Sequence, residues 1–182
     1  MRRAIGFIEL NSIAKGVETA DIVLKTAAVH LLFSKASCPG KYYILFTGDV
    51  AAVQASVDSG LVIAGPHAVD SCVIPNIDER VIEAVNMAHI PDEMAAVGVM
   101  EFYSVTAAVY GADAAVKAAN VDLVDVRLGT GIGGKSFVVL TGEVAAVRAS
   151  IDCGVNTSSA EGMVVSSVVI PSPHPELLEY LM

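Results

Sequence analysis

The feature that most constrains the fold is an internal repeat that spans the 182-residue chain. Residues 4–9 (AIGFIE) align with residues 96–101 (AVGVME) at an offset of 92 residues. Past a loop of different length the offset becomes 94, and residues 47–53 (TGDVAAV) align with residues 141–147 (TGEVAAV). Two copies are too few for a solenoid, which needs at least about three units. The repeat therefore predicts a duplication, with one similar domain in each half of the chain.

Each copy shows the pattern of an α+β domain with the element order β-α-β-β-α-β. In the first copy, the pattern predicts strand segments at 4–10, 29–33, 42–46, 62–64 and 70–74, and helices over 13–27, from 49 to a stop at Gly60, and over 77–88. This order is typical of a ferredoxin-like sheet covered by helices. We place the first domain at residues 1–92, with its terminal helix and linker, and the second at residues 93–182.

The first long helix carries an apolar stripe. Ser12 is a predicted N-cap, and apolar residues then recur at spacings of three and four. The stripe consists of Ile13, Val17, Ala20, Leu24 and Ala27, and the second copy repeats it with Val105, Val109, Ala112, Val116 and Ala119. The same helical face therefore recurs in both domains.

Composition limits the classes of partner. The net charge of −9 argues against nucleic acid, because phosphate binding needs clustered Lys and Arg. Hydrophobic residues make up 54% of the chain and the mean hydropathy is +0.61. No apolar run reaches the length of about 18 residues that a membrane helix needs, so we assign the excess apolar surface to contacts between subunits.

The cysteines and the N-terminus indicate the compartment. Cys38, Cys72 and Cys153 form no CxxC pair and no even framework, so we expect no intrachain disulfide. Glu9 and Asn11 interrupt the apolar run that follows the N-terminal arginines, which makes it too short for a signal peptide. We therefore expect a cytoplasmic protein.

Each copy carries a loop between its second and third strands. The first loop is SCPGK at residues 37–41, and the second is GTGIGGK at residues 129–135. With Ser136 the second loop matches the pattern of a phosphate-binding P-loop, which an enzyme or nucleotide switch would use. That motif needs a helix directly after it, whereas residues 137–140 (FVVL) predict a strand. We interpret the glycines as tight turns.

Cys38 permits two interpretations from the residues alone. A single cysteine is ordinarily an inert buried thiol, and it lacks the spacing of a metal-ligand set. Cys38, however, lies in a turn beside Pro39 and Gly40 rather than on an apolar face, and the second copy has no cysteine there. Metal ligand and inert thiol both remain open. Cys72 is interpreted as a core residue and Cys153 as a small filler.

Several motifs resemble bacterial microcompartment shell domains of the tandem-domain class. They are the repeated AIGFIE and AVGVME strands, the Asp-x-x-x-Lys helix ends at Lys25 and Lys117, and VIPSPH at residues 169–174. The resemblance covers essentially the whole chain. Within that class, SCPGK resembles the loop of the iron–sulfur-bearing shell proteins of propanediol-utilisation compartments.

This resemblance implies a function. It implies a structural, non-enzymatic subunit of a microcompartment shell in the cytoplasm, assembled as a homotrimer that resembles a hexamer. It implies one 4Fe–4S cluster on the trimer axis, bound through Cys38 and passing electrons across the shell, with a lumenal or cytosolic redox enzyme as the expected partner. The alternative is a shell subunit with a plain metabolite pore and no cluster.

The resemblance also assigns residues to the axis and the rim. The residues expected to line the axis or pore are Ser37, Pro39, Gly40, Gly131, Ile132 and Gly133. Lys25 and Lys117 are expected to contact neighbouring shell proteins at the edge of the subunit. Sequence context alone favours solvated helix flanks for these two lysines, as for most lysines.

Overall fold

The structure is a computed structural model that describes residues 4–86, 95–129, 131–157, 160–178 and 180. The chain divides into two compact units, and the division falls between Ile77 and Asp78. The domain boundary predicted between residues 92 and 93 lies outside the described residues and stays a prediction. Among the helices of these ranges, none is long and apolar enough to cross a membrane.

The first unit contains one antiparallel four-stranded sheet. Its elements are β1 (Ala4–Leu10), α1 (Ile13–Thr26), β2 (Val29–Ser37), β3 (Lys41–Gly48), α2 (Val50–Ala64) and β4 (Ala68–Pro75), with a short 3-10 turn at Gly65–His67 before β4. The strand order is β2-β3-β1-β4. Strand β1 is central and buried along its whole length, as its continuous apolar run predicts. Element order and strand order together confirm the ferredoxin-like prediction.

The second unit repeats this architecture and adds a helix at its start. Its elements are α3 (Glu79–Asn86), β5 (Ala96–Phe102), α4 (Val105–Ala118), β6 (Asp122–Leu128), β7 (Ser136–Gly142), α5 (Val144–Val155), β8 (Val164–Ile170) and the short α6 (Pro175–Leu178). The strand order is β6-β7-β5-β8. Helix α3 packs on β6 and α4. The helix predicted over 77–88 is thus present as α3, and residues 87 and 88 lie outside the described ranges.

The helices that follow the central strands begin at the predicted kind of cap. The Ser12 hydroxyl accepts a hydrogen bond from the Lys15 backbone N–H at 3.4 Å, and Ser104 accepts one from Ala107 at 3.0 Å. Each cap satisfies one of the backbone donors that a helix start leaves unpaired. The repeat is therefore preserved at the level of single hydrogen bonds.

One sequence prediction was wrong. Helix α2 continues past Gly60 to Ala64, so residues 62–64 are helical and not a strand. Gly60 allows close packing instead of ending the helix, because a Cβ there would lie 2.6 Å from Cδ1 of Ile8 on β1. The helix ends at Gly65, whose φ of +52° lies in the left-handed region that favours glycine.

The glycine of α5 that corresponds to Gly60 gives a stability prediction. A Cβ at Gly154 would lie 2.9 Å from the carbonyl oxygen of Gly111 on α4. Alanine favours a helix over glycine by about 1 kcal/mol, but a backbone oxygen cannot move aside as a side-chain methyl can. We expect Gly154→Ala to lower the free energy of unfolding by about 1 to 2 kcal/mol. Gly60→Ala should be nearly neutral, because Ile8 can adjust.

Urea unfolding followed by circular dichroism measures both changes. Equal effects of the two substitutions would show that the α4–α5 spacing adjusts as easily as a side chain does.

Three residues of the apolar stripe of α1 face outward in the first unit. Ile13, Val17 and Leu24 are exposed, whereas the face packed on the sheet carries smaller residues such as Gly16 and Val23. The counterparts of the three exposed residues on α4 are all buried: Val105, Val109 and Val116. The two units therefore share a fold but differ in what covers the same helical face.

Candidate functional site

The first candidate site is the tip of the β2–β3 hairpin. The two strands pair up to Ser37 opposite Lys41, which leaves Cys38, Pro39 and Gly40 as the exposed turn. Cys38 is a free thiol, and the peptide bond between it and Pro39 is cis. Gly40 has a φ of +76°, a conformation that few residues other than glycine adopt. The hairpin thus presents one thiol at its tip.

An ion pair with a buried carboxylate anchors the base of this turn. Glu9 lies on the central strand β1, opposite Tyr43 on β3 and Asp70 on β4. The Lys41 ammonium donates a hydrogen bond to Oε1 of Glu9. Burial acts to lower the pKa of Lys41, but the hydrogen bond and the attraction of Glu9 prevail and raise it above its ordinary value. The residue that ends the turn is therefore tied to the centre of the sheet.

An aromatic residue lies beneath the same anchor. Tyr43 is fully buried, and its ring centroid is 5.6 Å from that of Phe7 on β1. Burial raises the pKa of the Tyr43 phenol. A neutral phenol therefore adjoins the Glu9–Lys41 pair and adds no second charge to the base of the turn.

The second candidate site is the β6–β7 loop, of which residue 130 lies outside the described ranges. The Gly129 N–H donates to the Lys135 carbonyl at 3.1 Å, and the Lys135 N–H donates to the Ile132 carbonyl at 3.3 Å. Gly131 and Gly133 have φ angles of +78° and +68°. Strand β7 begins directly afterwards, at Ser136, which confirms that this loop does not lead into a helix as a P-loop would.

This second loop has the same type of anchor in a more open setting. The Lys135 ammonium donates to Oε1 of Glu101 at 2.9 Å. The hydrogen bond and the charge of Glu101 raise the pKa of Lys135. Our reading of the sequence missed both ion pairs. The sequence did contain a signal for them, because both pairs use the same two positions of the repeat. One position is the only acidic residue of the central strand, and the other is the lysine at the end of the loop.

The three cysteines lie in different settings. Cys38 is exposed in the turn, Cys72 is buried in β4 as predicted, and Cys153, which was predicted to be a small filler, is exposed on α5. Within the described parts of the chain, no three His, Cys, Asp or Glu side chains gather as a metal-binding group. One chain therefore presents the Cys38 thiol at the hairpin tip.

The two candidate edge lysines lie in different surroundings. Lys25 is exposed at the end of α1 and pairs with Asp21 at 2.5 Å. Lys117 pairs with Asp113 at 2.5 Å, and Asp113 also accepts a hydrogen bond from the Asp78 backbone N–H at 2.8 Å. Their contact with neighbouring shell proteins stays a prediction.

Comparison with known proteins identifies the repeat. The BMC domain family matches residues 4–77 and again residues 96–173. The bacterial microcompartment shell protein PduT of Citrobacter freundii is 44% identical over 177 residues, which cover 97% of this chain and 96% of that protein. The shell protein PduA of the same organism is 39% identical over 87 residues, which cover 47% of this chain and 90% of PduA. One repeat thus corresponds in length to a complete relative.

A solved structure shows the same fold over the full length. A crystal structure of a microcompartment protein from Desulfitobacterium hafniense DCB superposes with a TM-score of 0.94 and 47% sequence identity. The match covers 98% of this chain and 99% of that chain.

Proposed function

Because the chain belongs to the BMC-domain family of bacterial microcompartment shell proteins, we propose that three copies of it form a ring that binds one 4Fe–4S cluster through Cys38. The chain is a structural subunit of the shell and is not an enzyme. Neighbouring shell proteins are its partners in that layer. The cluster and the three-fold ring are the steps proposed beyond the family.

The duplication supports a ring of three. Three chains with two similar domains each present six similar units around an axis, so the ring matches six copies of a one-domain shell protein. The outward apolar stripe of α1 supports contact between copies, because Ile13, Val17 and Leu24 are exposed in the single chain. A cyclic arrangement would bury such surface in head-to-tail contacts.

The donor set at the first loop fits a cluster on a three-fold axis. A cubane 4Fe–4S cluster has a three-fold axis of its own, so three equivalent thiolates can bind three of its irons. Each chain offers Cys38 at an exposed tip, and the Glu9–Lys41 pair holds the base of that tip in place. Such clusters are normally held by four cysteines, and when bound they supply one-electron transfer. A redox enzyme on one side of the shell is the corresponding proposed partner.

The single observation that carries the proposal is the exposed thiol at the hairpin tip, in the one repeat that has a cysteine there. Anaerobic purification, with iron and sulfide analysis of the assembled protein, tests it. We expect a brown protein with about one cluster per three chains. An assembled protein without iron and sulfide would reject the cluster and leave the structural role.

A plain metabolite pore is the second candidate. It is favoured by the second loop, where Gly131 and Gly133 are exposed and bring no thiol. In that case Cys38 is incidental to the lining of the pore. The iron and sulfide analysis separates the two candidates.

The edge lysines give a prediction about the shell layer. The long stems of Lys25 and Lys117 can lie flat across a neighbour while the ammonium groups bind carbonyl oxygens. Replacing both by alanine should reduce side-by-side association of rings into sheets by about tenfold or more, and leave the mass of the single ring unchanged. Electron microscopy of sheets and sedimentation of rings measure the two effects. Sheets that form as readily as those of the parent would identify both lysines as solvated flanks.

A further inference from the structure

Helix α3, the first helix of the second unit, is docked on the rest of that unit. This helix follows β4 in the chain and packs on β6 and α4. Its apolar residues Val81, Ile82 and Ala84 are buried there. The segment that leaves the first sheet therefore finds an apolar seat on the second unit.

Hydrogen bonds fix this docking. The Asp78 N–H donates to Oδ1 of Asp113 on α4 at 2.8 Å. The Arg80 guanidinium donates to the carbonyl oxygens of Val116 and Val121, both at 3.0 Å. The contact thus combines apolar burial with donors directed at the end of α4 and the start of β6.

The segment after β8 has the same local structure as the start of α3. The Leu177 N–H donates to the His174 carbonyl at 2.9 Å, as the Val81 N–H donates to the Asp78 carbonyl at 3.1 Å. Nδ1 of His174 accepts a hydrogen bond from the Glu176 N–H at 3.2 Å, and Oδ1 of Asp78 likewise accepts one from the Arg80 N–H at 3.0 Å. The C-terminal segment therefore begins with the same turn as α3, although its helix α6 spans four residues and α3 spans eight.

The apolar side chains of this second segment are uncovered. Val81 and Ala84 are 0% and 3% exposed, whereas their counterparts at an offset of 96, Leu177 and Tyr180, are 41% and 76% exposed. Two side chains of this size left in water are unusual for a segment whose counterpart is docked.

The seat is uncovered in the first unit as well. The stripe residues of α1, Ile13, Val17 and Leu24, are 44% to 55% exposed. Their counterparts on α4 are at most 3% exposed: Val105, Val109 and Val116. The single chain thus leaves both the apolar side chains of this segment and the matching face of α1 exposed.

We propose that residues 172–178 and Tyr180 of one copy bind the α1–β2 face of a second copy of this chain, in the place that α3 holds on α4 and β6. Leu177 and Tyr180 then cover part of the α1 stripe. The His174 N–H donates to Asp21 of the second copy, as the Asp78 N–H donates to Asp113. The contact is head-to-tail, so it repeats from copy to copy until the ring closes.

One difference makes this joint weaker than the internal contact. Glu176 stands where α3 has Arg80, so the two carbonyl bonds of the guanidinium have no counterpart. The joint therefore relies on apolar burial and should open more readily than the internal contact.

The double substitution Leu177→Ala/Tyr180→Ala tests the joint. Removing a buried Leu and a buried Tyr should weaken association between copies by tenfold or more, about 1.4 kcal/mol or above. Val62→Ala is the matched control, because Val62 is 79% exposed on α2 and lies outside the face. Sedimentation across a concentration series gives the association constants. A double variant that associates as tightly as the parent would overturn the joint.

Cross-linking gives a second readout that does not depend on the strength of association. One tagged chain carries His174→Cys and another carries Asp21→Cys, both with Cys38→Ser and Cys153→Ser to remove the exposed native thiols. A short bismaleimide should join the two tagged chains, whereas Val62→Cys in place of Asp21→Cys should not react. The absence of the mixed cross-link in assembled protein would also overturn the joint.

The joint rests on the proposed assembly of several copies and is independent of the cluster. A parent protein that stays monomeric would reject the assembly itself. An assembled but colourless parent would reject the cluster alone. An unaffected double variant in an assembled, brown background would reject this joint alone.

Discussion

Cys38→Ser should remove the iron, the sulfide and the visible absorbance of the anaerobically purified protein, and leave the mass of the assembled ring unchanged. A serine hydroxyl is a much poorer iron ligand than a thiolate. Because each of the three chains supplies one Cys38 to the cluster, the substitution removes all three thiolate ligands at once. The turn itself should persist, since Pro39, Gly40 and the Glu9–Lys41 pair do not involve the thiol. Iron and sulfide analysis with absorbance spectra measures the loss.

Two other cysteines serve as controls for this substitution. Cys153 is the stringent one, because it is exposed on α5 as Cys38 is exposed in its turn. Cys153→Ser and Cys72→Ser should both keep the full iron content. A Cys38→Ser protein with parental iron and sulfide would show that the ligands lie elsewhere and that this turn only lines a pore.

Lys41→Met should lower the free energy of unfolding by about 2 to 4 kcal/mol, because it leaves a buried carboxylate without its cation. The side chain of Glu9 is only 4% exposed, and Asp70 lies opposite it on the next strand. Lys135→Met is the matched control in the second repeat, where Glu101 is 35% exposed and water can take over. We expect that change to cost much less stability, because solvent screens an exposed ion pair. Chemical denaturation of both variants and the parent measures the difference.

The pH dependence of the same variant follows from the raised pKa of Lys41. Its folded value lies above the ordinary 10.5, so the ion pair contributes fully at neutral pH and is lost as the pH rises through the raised value. The difference in stability between the parent and Lys41→Met should therefore be constant near neutrality and shrink in strong alkali. Equal destabilisation by Lys41→Met and Lys135→Met would show that burial of Glu9 is not what makes the pair important.

The strands and caps of the fold could be predicted from local pattern. Strand β1 matches its predicted bounds at Ala4–Leu10, and Ser12 caps α1 as expected. A continuous apolar run bounded by polar residues and a serine before a helical stripe act over a few residues, so they can be recognised without tertiary contacts. The duplication then carried these assignments from one half of the chain to the other.

The site was only partly predictable for the same reason. The sequence alone identifies the two loops and the cysteine of the first loop, because the two copies of the repeat differ there in length and in residue type. The Glu9–Lys41 anchor joins residues 32 positions apart, and it exists only because β1 and β3 pair in one register. Nothing in the local pattern around Lys41 indicates that its ammonium lies over a buried carboxylate.

Amino-acid pattern alone decided the duplication, the order of elements, the positions of the loops and the family. Tertiary packing decided that α2 continues through Gly60. The missing side chain lets α2 approach Ile8 of β1 closely, and the low helix propensity of glycine does not predict this contact. Packing also decided which apolar stripe is covered. The stripes of α1 and α4 are similar in sequence, but Ile13, Val17 and Leu24 of α1 are exposed, whereas their counterparts on α4 are buried. Periodicity shows that a helix has an apolar face, whereas the fate of that face depends on elements far away in the chain, or in another copy of it.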